Sequence, residues 1–233
     1  MNLSDDLIAT LQTIDTPTVC NALEHIDQTL RIIGFNRAPL LAPFPDHKPV
    51  VGFARTAIIC CSSPNPVGSR AQKQLRLGYY DHIESGPRPS IAVIEDRDER
   101  EPGIGAFWGE VQTNVHQALG CVGIITNGSV RDIPQMAPGF FVLAGSVMPS
   151  HVHADITDFN CPVTVHGMQV RPGDLIHADR HGAVVIPLSS AAAIPAAADL
   201  LARKEKVILD ACRAPEFSTA AIRKAFEEMD DIH

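Results

Sequence analysis

Three side chains stand out for the chemistry they can do together: Glu110, Arg131 and Asp132. Hard divalent cations such as Mg²⁺ and Mn²⁺ take carboxylate oxygens and keep several waters, so one or two acids make a site that substrate completes. A guanidinium beside such a site can clamp a carboxylate in bidentate fashion. Each residue also has a plainer use. An acid after a strand serves as a cap or an ion-pair partner, and Arg131 can simply pair with Asp132. All three lie in residues 105–132. There Gly105-Ala106-Phe107-Trp108-Gly109 leads into Glu110, and Val111, Val115, Ala118 and Leu119 recur at helical spacing, which predicts one apolar face. Gly120 suits a left-handed C-terminal cap. Residues 121–126 read as a buried strand, Asn127-Gly128-Ser129 as a turn, and Arg131-Asp132 follow. Ligands in α/β proteins sit off strand ends and helix starts, which is where these groups are expected to converge.

The rest of the chain supplies elements to position them. Residues 3–13 read as a helix capped by Ser4, and Thr16-Pro17 opens a second. Residues 34–49 are irregular and proline-rich yet too apolar for a disordered linker, so an ordered excursion is expected. Strands are expected over 50–61, 90–95, 140–144, 163–170 and 183–187, with a turn at Arg171-Pro172-Gly173-Asp174. A loop over 62–68 precedes a helix to about residue 84, with Ser69 as its cap. The charge run 96–101 reads as a solvated face that also forms a candidate rim of the site. Residues 189–209 and 217–229 read as C-terminal helices. Strands mixed with helices, some hairpin-like and some crossed over, point to α/β or α+β in one domain.

Composition excludes several classes. The 233 residues are 45% hydrophobic and 20% charged, as in an ordinary soluble globular protein. A formal charge of −8 with no basic stripe argues against a nucleic-acid surface. No apolar run approaches the roughly 20 residues that span a bilayer, and residues 1–6 do not read as a signal peptide. The six cysteines form no C-x-x-C pair and sit mostly in apolar segments, so reduced buried thiols in a cytoplasmic protein are expected. The adjacent Cys60-Cys61 is a minor candidate for a soft metal.

Gly109-Glu110, Gly120, Gly123, Gly128, Val130-Arg131-Asp132, then Val170-Arg171-Pro172-Gly173-Asp174, Asp179, Gly182 and Pro187 occur in an order and spacing that resembles the RraA-like / 4-hydroxy-4-methyl-2-oxoglutarate aldolase family. The acids are 132 − 110 = 22 residues apart, as in those aldolases. The resemblance spans about residues 16–187. It implies an α/β, swivelling β/β/α fold as a single domain over 1–233, with flanking N- and C-terminal helices (189–229). It also implies homotrimers or hexamers with sites between subunits. On the same ground Asp132 binds Mg²⁺ or Mn²⁺ directly, Glu110 holds it through water, and Arg131 contacts substrate and stabilises the enolate. Backbone amides of Gly109, Glu110, Val111 and Gln112 receive the pyruvyl carboxylate, Trp108 borders the substrate, and a further acid, Glu205, comes from a neighbouring subunit. The implied activity is that of a metal-dependent aldolase or decarboxylase. It cleaves a small 4-hydroxy-2-oxo acid or oxaloacetate to pyruvate, with the cation as Lewis acid.

No Schiff-base lysine is needed: Lys48, Lys73, Lys204, Lys206 and Lys224 all fall in loops or polar helix faces. The segment departs from the aldolases in Asn127 where Asp is usual, in Glu110 for the commoner Asp, and in Trp108 and the loop 95–105. His151 and His153 read as surface or structural residues, with His153 kept as a possible substrate contact, and His181 as a turn residue. The rival readings are a non-catalytic regulator, like family members that inhibit an RNA-degrading enzyme, and a protein that binds metal without turnover. The regulators tend to lack the acid after the arginine, and Asp132 is present here.

Overall fold

The computed structural model describes residues 3–64, 68–98 and 101–233. Helix α1 (Asp5–Leu11) is capped by Ser4, and α2 (Thr16–Ile26) by Asp15, whose side chain accepts from the Thr18 amide at 2.8 Å. The irregular excursion is ordered by bridges from Phe35 to Val184 and from Leu41 to Ala144. Strand β1 (Val50–Cys60), helix α3 (Gly68–Glu84), β2 (Ser90–Asp96), β3 (Ala106–Trp108), helix α4 (Glu110–Ala118), β4 (Cys121–Thr126) and β5 (Ser129–Val130) follow. Next come β6 (Phe141–Leu143), β7 (Ser146–Val147), β8 (Asp155–Phe159), β9 (Val163–Val165) and β10 (Met168–Val170). The chain ends with β11 (Leu175–Asp179), β12 (Gly182–Ile186), α5 (Ile194–Arg213) and α6 (Thr219–Asp230).

The main sheet runs β12-β11-β1-β2-β4-β6, with β1 to β6 parallel and β11, β12 antiparallel. Strand β1 is long enough to pair with β11 along its first half and β8 along its second. The near-continuous apolar runs of β1, β2 and β4 are buried, as expected of parallel strands covered on both faces. Beyond the C-terminal ends of β2, β4 and β6 the chain enters a second, parallel sheet, β3-β5-β7. Three times, therefore, a core strand leads into a short strand of this small sheet. What comes after β3 and β5 is Glu110 and Arg131-Asp132.

Several expectations are corrected. The predicted strand 163–170 is a hairpin, β9 and β10, turned at His166-Gly167 with φ of 45° and 82°; two positive φ values in a row are what a tight hairpin turn needs. Ser69 lies inside α3 rather than capping it; part of the loop 62–68 lies outside the described residues. At α4 the predicted apolar face packs only in part: Leu119 rests against the core, while Ala118 is exposed. Val111 is 70% exposed, whereas Thr113 and His116 are buried, because both find hydrogen-bond partners inside. The charge run is solvated only in part: Arg97 and Glu101 are exposed, but Asp96 and Asp98 are buried, while Glu99 and Arg100 lie outside the described residues. Gly120 does follow the helix with φ +92°, as expected of a left-handed cap.

Candidate active site

A cavity of about 250 Å³ opens at the small sheet. It is lined by Ala106, Phe107, Gly109, Glu110, Val111 and Gln112 from β3 and the start of α4, and by Arg131 and Asp132 after β5. Arg76 of α3 and residues His151, His153 and Ala154 complete the wall. The two acids and the arginine thus share one cavity. Arg131 Nε lies 3.5 Å from Asp132 Oδ2, and the Arg131 amide donates to the Trp108 carbonyl at 2.9 Å.

Local conformation fixes this arrangement. Asp132 has φ 53°, in the left-handed region, which Asp tolerates better than most residues but which is still enriched at functional sites. Gly109 caps α4 with no side-chain hydrogen bond. A Cβ there would meet Asp132 Oδ2 at 2.7 Å and Arg131 Cγ at 3.2 Å, so only glycine lets the Asp132 carboxylate lie against this helix start. The first amides of α4 have no intrahelical acceptor, and a bare N-terminus of this kind is an anion site.

Behind the cavity the packing is polar and closed. His116 is buried; its Nδ1 meets the Gln112 carbonyl at 2.7 Å and its Nε2 meets the Tyr79 hydroxyl at 2.7 Å. Burial pushes its pKa down to about 4, so the ring is neutral at pH 7, donating from Nδ1 and accepting at Nε2. Trp108 packs against that ring with 4.5 Å between centroids, the planes tilted by 57°, and is wholly buried. Its side chain therefore does not line the cavity, contrary to expectation; only its backbone reaches the site, through Arg131. Tyr80 donates to Gln112 Oε1 at 3.0 Å.

Cys61, Asp96 and Asp98 form a second group whose ligand atoms lie within 4.8 Å of one another. Its donors are already committed. Asp98 accepts from Cys60 Sγ at 2.9 Å, from the Cys61 and Ser62 amides at 2.7 and 3.0 Å, and from Ser62 Oγ at 2.7 Å. Asp96 accepts from the Asp98 and Gly103 amides at 3.1 and 2.7 Å. Burial, reinforced by Asp96 and Asp98, pushes the Cys61 thiol up to about 12. The hydrogen bonds of the group clamp the turn between β2 and β3, and Cys60 Sγ is engaged with Asp98. Asn127 belongs to the same clamp: its Oδ1 accepts from the Asp96 amide and its Nδ2 donates to the Asp96 carbonyl, both at 2.8 Å.

Residues 16–185 match the RraA-like family model, described as Aldolase/RraA. The chain belongs to that family. One Aldolase/RraA relative, from Halalkalibacterium halodurans, carries the provisional name 4-hydroxy-4-methyl-2-oxoglutarate aldolase and is 27% identical over 184 residues, 78% of this chain and 77% of the relative. Among solved structures, an uncharacterized protein from Pseudomonas syringae matches with TM-score 0.72 and 21% identity, covering 98% of this chain and 96% of that one. Streptomyces coelicolor RraAS2, described as an unusual member of the RNase ES inhibitor RraA protein family, matches with TM-score 0.67 and 21% identity over 88% and 96% of the two chains. These likenesses bear out the α/β, RraA-like fold.

In this Aldolase/RraA chain the donor set at the cavity suits a hard divalent cation. Glu110 and Asp132 offer carboxylate oxygens, and no thiol lines the wall. Glu205 lies on the exposed side of α5 and does not line the cavity within one chain. His151 and His153 are exposed, as expected, and both also line the wall. Arg76 was not singled out at all; nothing in the polar helix 68–84 separates it from its neighbours in sequence, and only the packing of α3 brings it to the site. Among the described residues no helix is long and apolar enough to cross a membrane.

Proposed function

We propose that this Aldolase/RraA chain is a divalent-cation-dependent carbon–carbon lyase that cleaves a small 4-hydroxy-2-oxo acid, or oxaloacetate, to pyruvate. The observation that carries the reading is the meeting of Glu110, Asp132 and Arg131 in one cavity at the bare N-terminus of α4. The amides of Glu110, Val111 and Gln112 bind and orient the carboxylate of the 2-oxo acid. Opening the carbon–carbon bond leaves its electron pair on the pyruvyl fragment, and Arg131 holds fixed positive charge where the enolate oxygen becomes negative. Glu110 and Asp132 would hold Mg²⁺ or Mn²⁺, which supplies Lewis acidity beside that oxygen. Exposed Val111 gives the rim apolar character.

The reading includes a homotrimer or hexamer, in which Glu205 from a neighbouring subunit adds an acid to the site. Pyruvate release from oxaloacetate, with and without Mg²⁺, tests the assignment. Asp132→Asn keeps a residue that tolerates the left-handed conformation and removes the charge. It is expected to lower kcat at least about 100-fold with the far-UV circular dichroism unchanged. Equal rates in the variant and the parent would sink the reading. Pyruvate release from none of the 2-oxo acids would favour the non-catalytic regulator that the likeness to RraAS2 brings to mind.

A further inference from the structure

The part of the cavity wall made by residues 151–154 has a strained backbone. Val152 and Ala154 have φ of 46° and 43°, in the left-handed region that a β-branched residue such as valine adopts only under constraint. Three hydrogen bonds hold the segment. The Val152 amide donates to Ser150 Oγ at 3.1 Å, the His153 amide to the Cys61 carbonyl at 3.3 Å, and Arg76 Nη2 to the Ala154 carbonyl at 3.2 Å. Strain kept at a site by its surroundings points to a use. Here it sets the ring of His151, whose Nδ1 lies 2.7 Å from the Val152 carbonyl oxygen. A carbonyl only accepts, so Nδ1 carries the proton and the neutral ring keeps its lone pair on Nε2. That nitrogen has no partner among the described residues, and the side chain is exposed on the cavity wall.

Cleaving a 4-hydroxy-2-oxo acid requires a proton acceptor. As the carbon–carbon bond breaks, its electron pair passes to the pyruvyl fragment, the carbinol becomes a carbonyl, and the hydroxyl proton must leave. Of the ionisable groups on the wall, Arg76 and Arg131 stay protonated, while Glu110 and Asp132 suit the cation. His151 and His153 remain. Only the amide of His153 is anchored, whereas the His151 ring itself is pinned. We infer that His151 is a catalytic residue, the general base whose Nε2 takes the hydroxyl proton in that cleavage. This inference rests on the lyase reading. The imidazolium then returns the proton to the enolate carbon, so pyruvate and the carbonyl product leave with the ring neutral again.

Oxaloacetate supplies the control within the same site, because loss of carbon dioxide gives the same enolate with no hydroxyl proton to remove. The test measures kcat of the parent, His151→Gln and His153→Gln on oxaloacetate and on a hydroxy acid, either 4-hydroxy-2-oxoglutarate or 4-hydroxy-2-oxopentanoate, whichever the parent cleaves faster. His151→Gln is expected to lower kcat for the hydroxy acid at least about 100-fold, while consumption of oxaloacetate stays within about twofold. His153→Gln should leave the ratio of the two rates as in the parent. In His151→Ala, added imidazole should restore part of the hydroxy-acid cleavage, which the repair of a structural contact would not do. An equal loss on both substrates makes the ring structural, and no loss on either gives the proton to water. Both results overturn the inference and leave the lyase reading standing, as does a selective loss in His153→Gln. A parent that consumes oxaloacetate but cleaves neither hydroxy acid also overturns it. Pyruvate release from none of the three acids takes down the lyase reading itself, and the inference with it.

Discussion

At the scale of single residues, Asn127 shows how a departure from a family pattern acquires a physical reason. Read from sequence, it stands where the aldolases usually have Asp. In the fold, its amide donates to and accepts from the backbone of Asp96, joining the ends of β4 and β2. A carboxylate cannot donate to the Asp96 carbonyl. Asn127→Asp should therefore cost about 1–3 kcal/mol of stability, measured as a fall in the urea midpoint at unchanged slope. A variant as stable as the parent would mean that the clip is dispensable. Asp132, its conformation and the Gly109 beneath it form a second residue-scale unit, in which a carboxylate, a backbone turn and a missing Cβ depend on one another. The acids and Arg131 were legible from side-chain chemistry and spacing. The need for Gly109 was not, because its partner lies across the sheet and its contact is set by the register of β3 and β5.

At the scale of elements, the α3–α4 contact carries a pH signature. His116 is held neutral in the core and has a folded pKa near 4 against 6.5 when unfolded. The unfolded chain then binds more protons between those values, so stability is complete above pH 6.5 and is lost as pH falls toward 4. The slope from this one residue is about 1.4 kcal/mol per pH unit inside that window. His116→Gln should flatten the acid limb of a plot of stability against pH by that amount, whatever it does to stability at pH 7. An unchanged slope would show that the ring is not buried neutral. The helix was predicted, but its buried side only in part: periodicity counts apolar residues, and α4 packs also through Thr113 and His116, whose polar atoms are paired. The strands β3, β5 and β7 went unseen because two or three residues hold no period to read. Long runs such as β1 and β2 were clear for the opposite reason.

At the scale of the whole molecule, the reading of a shared site makes a demand that a single chain cannot meet. Glu205 sits on α5, away from the cavity of its own chain. If neighbouring subunits supply it, Asp132→Asn and Glu205→Ala are each inactive alone, yet a mixed assembly regains sites that have both acids. Random exchange at equal amounts gives about a quarter of parental activity. Denaturing the two variants together, refolding them and assaying pyruvate release measures this directly. No recovery would remove Glu205 from the site while leaving the acids of the cavity in place.

The small parallel sheet also has a practical side. Core strands β2, β4 and β6 each hand over to one of its members, making three equivalent exits toward the cavity. Two of these exits carry Glu110 and Arg131-Asp132; the third leads through Met148 to His151 and Ala154, the residue that Arg76 grips. On the proposed lyase reading, an engineer wishing to change the part of the substrate that departs would diversify residues 148–154. The block 105–132 would be left alone, because on that reading it holds the groups that act on the bond.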